Sequence, residues 1–281
     1  MSELVDLIGS AIDVILEESD GRNVGIVLSG GLDSSTVAAV AEFVRPGIPT
    51  FTGYYDTPGF DEREYANLVK HEEHHEILIT PQDFLDNFDG MIAAMRPPVM
   101  GMGTVGQFAV AKYLAGQGIE VVMSGEGSDE LFGGYARQMI VAGEAPPVGY
   151  ENYKLPAGYP DNIKDALDYD YGRLPDLLAV DDQMTGAFGL KARAPFTDRR
   201  IVDYALALPV EERIGKRHLR TAVRGVVPDA IIDRKDKMGM PIPLVQWAQV
   251  DPVRSFVLDR IGYTPDPGKP WSRSWWRELV G

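Results

Sequence analysis

The sequence predicts a doubly wound parallel α/β sheet over about residues 1–140, joined to a mainly helical part over 141–281. Three observations lead there. Short apolar runs alternate with helical patterns through the first half, which implies parallel strands covered on both faces. The run Val24-Gly25-Ile26-Val27-Leu28 passes through Ser29-Gly30-Gly31 directly into a helix-forming stretch. From about Asp161 onward the patterns are mostly helical and end at prolines. The two parts are expected to form one compact unit with the active site between them.

Taken in order, residues 2–18 read as an amphipathic helix. Ser2 can cap it, and Leu4, Ile8, Ile12, Ile15 and Leu16 recur at helical spacing. Asp20-Gly21 ends it. The strand from Val24 follows, so no domain is expected ahead of the glycine turn. A second strand is predicted over Pro49–Tyr54, after the Pro46-Gly47 turn, and an acidic-start helix over about Asp61–His71. A third strand is expected at Glu76–Thr80, then helices near Phe84–Met95 and Gly106–Leu114, then a strand at Glu120–Ser124. Residues 143–160, rich in Pro, Gly and Tyr, read as a long loop. The aromatic segment Trp271–Trp276 either covers the core or serves an oligomer contact, and the core is favoured.

The turn Ser29-Gly30-Gly31-Leu32-Asp33-Ser34-Ser35 carries the first chemistry. Two glycines allow a tight turn with no Cβ in the way of a ligand. Free backbone N–H groups and the positive end of the helix dipole make the turn an anion site. Ser29, Ser34 and Ser35 add hydroxyl donors. Asp33 would repel a phosphate unless a divalent cation lay between them, and oxygen ligands suit Mg²⁺. The bland alternative is an ordinary strand-turn-helix. A Walker loop is excluded, because no Gly-Lys-Ser/Thr follows the glycines. The second chemistry lies after the fourth predicted strand, in Gly125-Glu126-Gly127-Ser128-Asp129-Glu130-Leu131-Phe132-Gly133-Gly134-Tyr135. Carboxylates there offer metal ligands and a base, and glycines permit close backbone approach.

Composition narrows the class. The net charge is −15, a poor electrostatic match for nucleic acid or anionic lipid. There is no cysteine, so disulfides and any protein-thiol relay are excluded. Nothing resembles a signal peptide or a membrane span. A cytoplasmic enzyme without nucleic-acid or membrane partners is expected. Two motif matches are set aside. His71-Glu72-Glu73-His74-His75 fits the zinc-protease spacing, but the helix is expected to end near His71 and a strand to follow. Gly101-Met102-Gly103-Thr104-Val105-Gly106 fits a dinucleotide fingerprint, yet it follows Pro97-Pro98 rather than a strand. Gly101–Thr104 is better read as a loop bordering the substrate pocket.

The Ser-Gly-Gly-Leu-Asp-Ser turn resembles the PP-loop of ATP-pyrophosphatases, which cleave ATP between the α- and β-phosphates. With the Gly125–Tyr135 string it resembles the synthetase domain of asparagine synthetases, and more distantly β-lactam synthetases and lasso-peptide cyclases. The string argues against the GMP- and NAD-synthetase types. Further matches are His74-His75-Glu76, Leu174-Pro175 through Asp182, Met184-Thr185, Arg193–Asp198, Lys216-x-x-Leu219-Arg220, Pro228-x-x-Ile231 and Arg234–Gly239.

This resemblance implies ATP and Mg²⁺ as cofactors. Asp33 and Asp129 are implied as metal-side groups. Ser29, Gly30, Gly31 and Ser34 are implied to hold pyrophosphate, and Val27 and Gly125 to meet the adenosine. Glu126 is implied to handle the amine proton, and Lys237 to stabilise charge on the adenylate. A small-molecule carboxylate and an ammonia or amine donor are the implied substrates. Departures are Gly186 for a methionine, Lys191 for a glutamate, and Gly239-Met240 for Gly-Phe. The charge reversal at Lys191 counts against aspartate. The glutaminases of this family use a cysteine nucleophile that this chain lacks, so a separate glutaminase is an expected partner. A homo-oligomer stays open, as does a catalytically silent nucleotide-binding scaffold.

Overall fold

A computed structural model describes residues 2–96, 101–150, 153–236, 242–268 and 273–281. Helix α1 (Glu3–Glu18) starts on Ser2, whose hydroxyl accepts from the Val5 N–H. That hydroxyl also donates to the Ala222 carbonyl, tying the first helix to the C-terminal half. Then come β1 (Val24–Val27), α2 (Leu32–Val44), β2 (Thr50–Tyr54), α3 (Arg63–Ala66) and β3 (His74–Leu78). They are followed by α4 (Pro81–Ala94), α5 (Gly103–Gly116), β4 (Val121–Met123), α6 (Ser128–Leu131) and α7 (Ala136–Val141). Past the loop lie α8 (Ile163–Tyr171), α9 (Leu174–Gly186) and β5 (Lys191–Arg193). Short helices complete the chain, ending with Arg273–Val280.

All strand pairs are parallel, in the order β3-β2-β1-β4-β5. Side chains of a strand alternate between faces, and both faces are covered here. Ile26, Leu28, Val121 and Met123 pack with α1 and α2 on one side. Phe51, Ile77 and Val122 pack with α4 and α5 on the other. Each such buried side chain stabilises the fold by roughly 1.5–3 kcal/mol. Trp275 and Trp276 belong to the second core, with the Trp276 ring edge-on to Phe88. Trp271 and Ser272 lie outside the described residues.

The strand order places the site. From β1 the chain builds outward through β2 and β3, and β4 and β5 then add on the other side of β1. The reversal falls between β1 and β4, and ligands of such sheets bind at that point beyond the strands' carboxyl ends. Both chemistry-bearing turns leave the sheet there.

Three local expectations shift. The helix expected over Asp61–His71 is α-helical only at Arg63–Ala66, because Leu68 and Val69 donate to carbonyls three residues back. The third strand lies at His74–Leu78, two residues earlier than expected, since its register is set by five-residue pairing with Thr50–Tyr54. Thr80, expected in that strand, instead caps α4. The third concerns β5, where no strand was expected. Lys-Ala-Arg has no apolar run, and it is a strand because its backbone pairs with β4.

Candidate functional site

The turn after β1 is shaped by its own serines. The Ser34 hydroxyl accepts from the Ser29 N–H at 3.1 Å and lies 3.0 Å from the Ser29 hydroxyl. Gly30 has φ +72°, and a Cβ there would come within 2.9 Å of Glu62, Tyr65 and Ala66 atoms. Gly31 caps α2 without a side chain, so no side chain from it covers the first N–H groups of that helix. Such a helix start favours an anion. Val27 and Leu28 lead into the turn, with Leu28 N bonded to the Phe51 carbonyl.

The turn after β4 lies against the same spot. A Cβ on Gly125 would sit 2.7 Å from Ser34 N and 2.8 Å from Asp33 Cβ, so only glycine lets the two turns meet. Asp33 is buried and accepts from the Ser128 hydroxyl at 2.8 Å. Lys216 Nζ lies 2.6 and 2.7 Å from the two Asp33 carboxylate oxygens, and it also contacts Asp129 Oδ1. One buried ammonium therefore joins the two carboxylates implied as metal ligands. The Lys216 backbone has φ +59°, unusual for a residue with a side chain. It is held by bonds from Lys216 N to the Phe132 carbonyl and from Gly215 N to the Gly133 carbonyl. Asp33 and Asp129 present carboxylate oxygens, the ligand type that suits Mg²⁺, and in this structure the Lys216 ammonium holds the position between them.

Behind Asp129 sits Glu130, almost wholly buried, accepting a hydrogen bond from the Tyr135 hydroxyl. Burial pushes the Glu130 carboxyl up to about 7. Glu126, on the pocket side, lines a cavity of about 220 Å³ with Gly101, Gly103, Thr104, Gln107, Leu177 and Val180. Gly101, Gly103 and Thr104 border this cavity, but Gly103 and Thr104 belong to the first turn of α5 rather than to the loop expected over Gly101–Thr104. Asp181 lies behind it. It accepts from Gln107 Nε2 and the Ser124 hydroxyl, both at 3.3 Å, and burial raises its carboxyl above the ordinary range.

The structure thus brings Ser29, Gly30, Gly31, Asp33, Ser34, Gly125 and Asp129 to one point, with Glu126 at the neighbouring cavity. Lys237 lies outside the described residues. Lys191 is exposed and pairs with Val121 at the start of β4, five residues before Glu126. It does not line the cavity beside Glu126. Gly186 is also exposed, with open space where a side chain would project. His74 and His75 are on a strand and His71 is beyond α3, so the three do not share a helix face. Sequence reasoning missed Lys216 and Asp181 as site groups. The Lys216-x-x-Leu219-Arg220 match flagged the lysine, but nothing local says where its ammonium points.

Residues 6–152 and 166–272 match the asparagine synthase family. Asparagine synthetase [glutamine-hydrolyzing] 1 of Bacillus subtilis is 24% identical over 298 residues, covering 80% of this chain and 47% of its own length. The rat asparagine synthetase [glutamine-hydrolyzing] is 35% identical over 206 residues, covering 69% of this chain and 34% of its own. The alignments therefore span between about a third and a half of these relatives. An NAD⁺ synthetase from Burkholderia pseudomallei covers 79% of this chain and 91% of its own, at 16% identity. Its TM-score of 0.32 is too low to carry an argument. With the family matched across both halves, the chain belongs to the asparagine synthase family.

Proposed function

We propose that this chain is an ATP-dependent carbon–nitrogen ligase that releases AMP and pyrophosphate. The observation that carries the reading is the meeting of the Ser29–Ser34 turn with Asp33, Asp129 and Lys216 at the strand-order reversal, next to Glu126. A substrate carboxylate oxygen attacks the α-phosphorus of ATP, and the bond to the β-phosphate oxygen breaks. The turn's N–H groups and the Ser29 and Ser34 hydroxyls hold the departing pyrophosphate. Val27 and Gly125 border the adenosine.

Asp33 and Asp129 would hold Mg²⁺, which neutralises phosphate charge when bound. Ammonia or an amine then attacks the acyl carbon, and the bond to AMP breaks. Ammonium cannot attack until it loses a proton, and the Glu126 carboxylate takes that proton. Lys237 supplies positive charge at the acyl phosphate. The ammonia can come from a separate glutaminase.

The test supplies Mg-ATP, ammonium and a panel of carboxylates. AMP and pyrophosphate in equal amounts are expected. ADP and phosphate as products would overturn the scheme.

A further inference from the structure

The stretch Phe132–Tyr135 sets where Lys216 stands. Its carbonyls at Phe132 and Gly133 accept from Lys216 N at 2.9 Å and from Gly215 N at 2.8 Å. Gly134 lies against the lysine stem, where a Cβ would fall 2.1 Å from Lys216 Cε and 1.9 Å from Asp129 Oδ1. Two successive glycines give this backbone little stiffness of its own, and Gly133 stands at φ +61°. Its geometry must therefore come from the residues at either end. Phe132 is fully buried in the core that holds α1 and α2. The other end is Tyr135.

Tyr135 is held at three points. Its N–H donates to Oε1 of the buried Gln138 at 3.0 Å. Its hydroxyl donates to Glu130. Its ring faces the Arg137 guanidinium, with Cζ 3.8 Å from the ring centroid. Arg137 is in turn fixed by the buried Asp170 of α8. Arg137 Nε lies 3.0 and 3.1 Å from the two Asp170 carboxylate oxygens, and Nη2 lies 2.7 Å from Oδ1. The Tyr159 hydroxyl donates to Oδ2 of the same carboxylate at 2.5 Å. A buried ion pair is a poor source of net stability, and apolar residues in its place often serve as well. What a planar guanidinium forked onto a buried carboxylate supplies is a fixed position and a flat face for an aromatic ring.

We infer that Arg137 is a positioning residue for Lys216. Clamped to Asp170, it holds Tyr135. Tyr135 and Phe132 together fix the glycine backbone that aims the Lys216 ammonium at Asp33 and Asp129. The part Lys216 plays at the nucleotide rests on the ligase reading above, whereas the place of its ammonium does not.

The test has two readouts on the intact chain. Proton–nitrogen NMR of lysine ammonium groups reads Lys216 directly. The wild type should show a restrained ammonium resonance, assigned by its loss in Lys216→Met, and Arg137→Gln should shift or broaden it. Calorimetry with Mg²⁺ and α,β-methylene-ATP reads the consequence. Arg137→Gln should weaken nucleotide binding about tenfold on its own, and by less than about twofold in the Lys216→Met background. A residue acting only on overall stability would weaken binding alike in both backgrounds. Arg137→Lys keeps the charge without the fork or the flat face and should not restore binding. Asp170→Asn releases Arg137 by another route, should Arg137→Gln fold poorly. An unchanged Lys216 resonance in these variants overturns the inference. So do the lack of a restrained resonance in the wild type and equal nucleotide losses in the two backgrounds. A Lys216 resonance that responds to Arg137 in a chain that binds no nucleotide sinks the ligase reading and leaves the positioning role standing.

Discussion

Lys216 Nζ lies 2.6 Å from Asp33 Oδ1, across 183 residues of sequence, and touches Asp129 on its other side. In this arrangement a protein ammonium balances the two carboxylates that the proposed chemistry assigns to Mg²⁺. The lysine and the metal thus answer to the same charge, and the balance between them can be measured.

Lys216→Met should cost about 3–5 kcal/mol of stability without metal, because two carboxylates are left close together with Asp33 buried. Adding Mg²⁺ should restore more stability to this variant than to the wild type. Thermal melts with and without Mg²⁺ give the answer, and an equal Mg²⁺ response in both proteins would contradict it. Asp33→Asn should lose both activity and stability, since Asp33 serves Lys216 and Ser128 as well as any metal.

Glu126→Gln keeps size and removes the base. Amide formation should fall by about 10²–10⁴-fold, while ATP–pyrophosphate exchange persists. Loss of both activities together would place Glu126 in adenylate formation instead.

Glu130 gives a pH signature. Its folded carboxyl titrates at about 7, above its value in an unfolded chain. The folded protein therefore holds a proton that the unfolded one releases, and stability falls as pH rises from about 4 to 7. Glu130→Gln keeps an acceptor for Tyr135 and removes the titration. The variant should match the wild type near pH 4 and exceed it by on the order of 1 kcal/mol at pH 8. A difference independent of pH in denaturant titrations would reject this account.

Nitrogen supply is the last prediction. These 281 residues contain no cysteine, so the purified chain should not draw nitrogen from glutamine through a thiol. Ammonium should support AMP release if ammonia is the donor, and neither should if the amine lies on the substrate. Efficient glutamine use by the purified chain would overturn this.

Much of the fold was legible because its signals are local. The apolar run at Val24–Leu28, the Gly30-Gly31 turn and the helical spacing of Leu4, Ile8 and Ile12 all depend on neighbours a few residues apart. The Asp33 and Gly125–Asp129 motifs are equally local, and the phosphate and metal chemistry proposed for them rests on residue type together with the family resemblance. Where pairing or packing decides, local signals fall silent. Lys191–Arg193 became a strand only through β4, and β3 took its bounds from β2. Lys216 and Asp181 acquired their roles because distant segments meet at the reversal of strand order, where a side chain's partners are set by topology. The sequence by itself determined the family and the fold class of this protein. Only the tertiary structure decided which charges are paired and which are buried, because burial and electrostatics depend on distance in space and not along the chain.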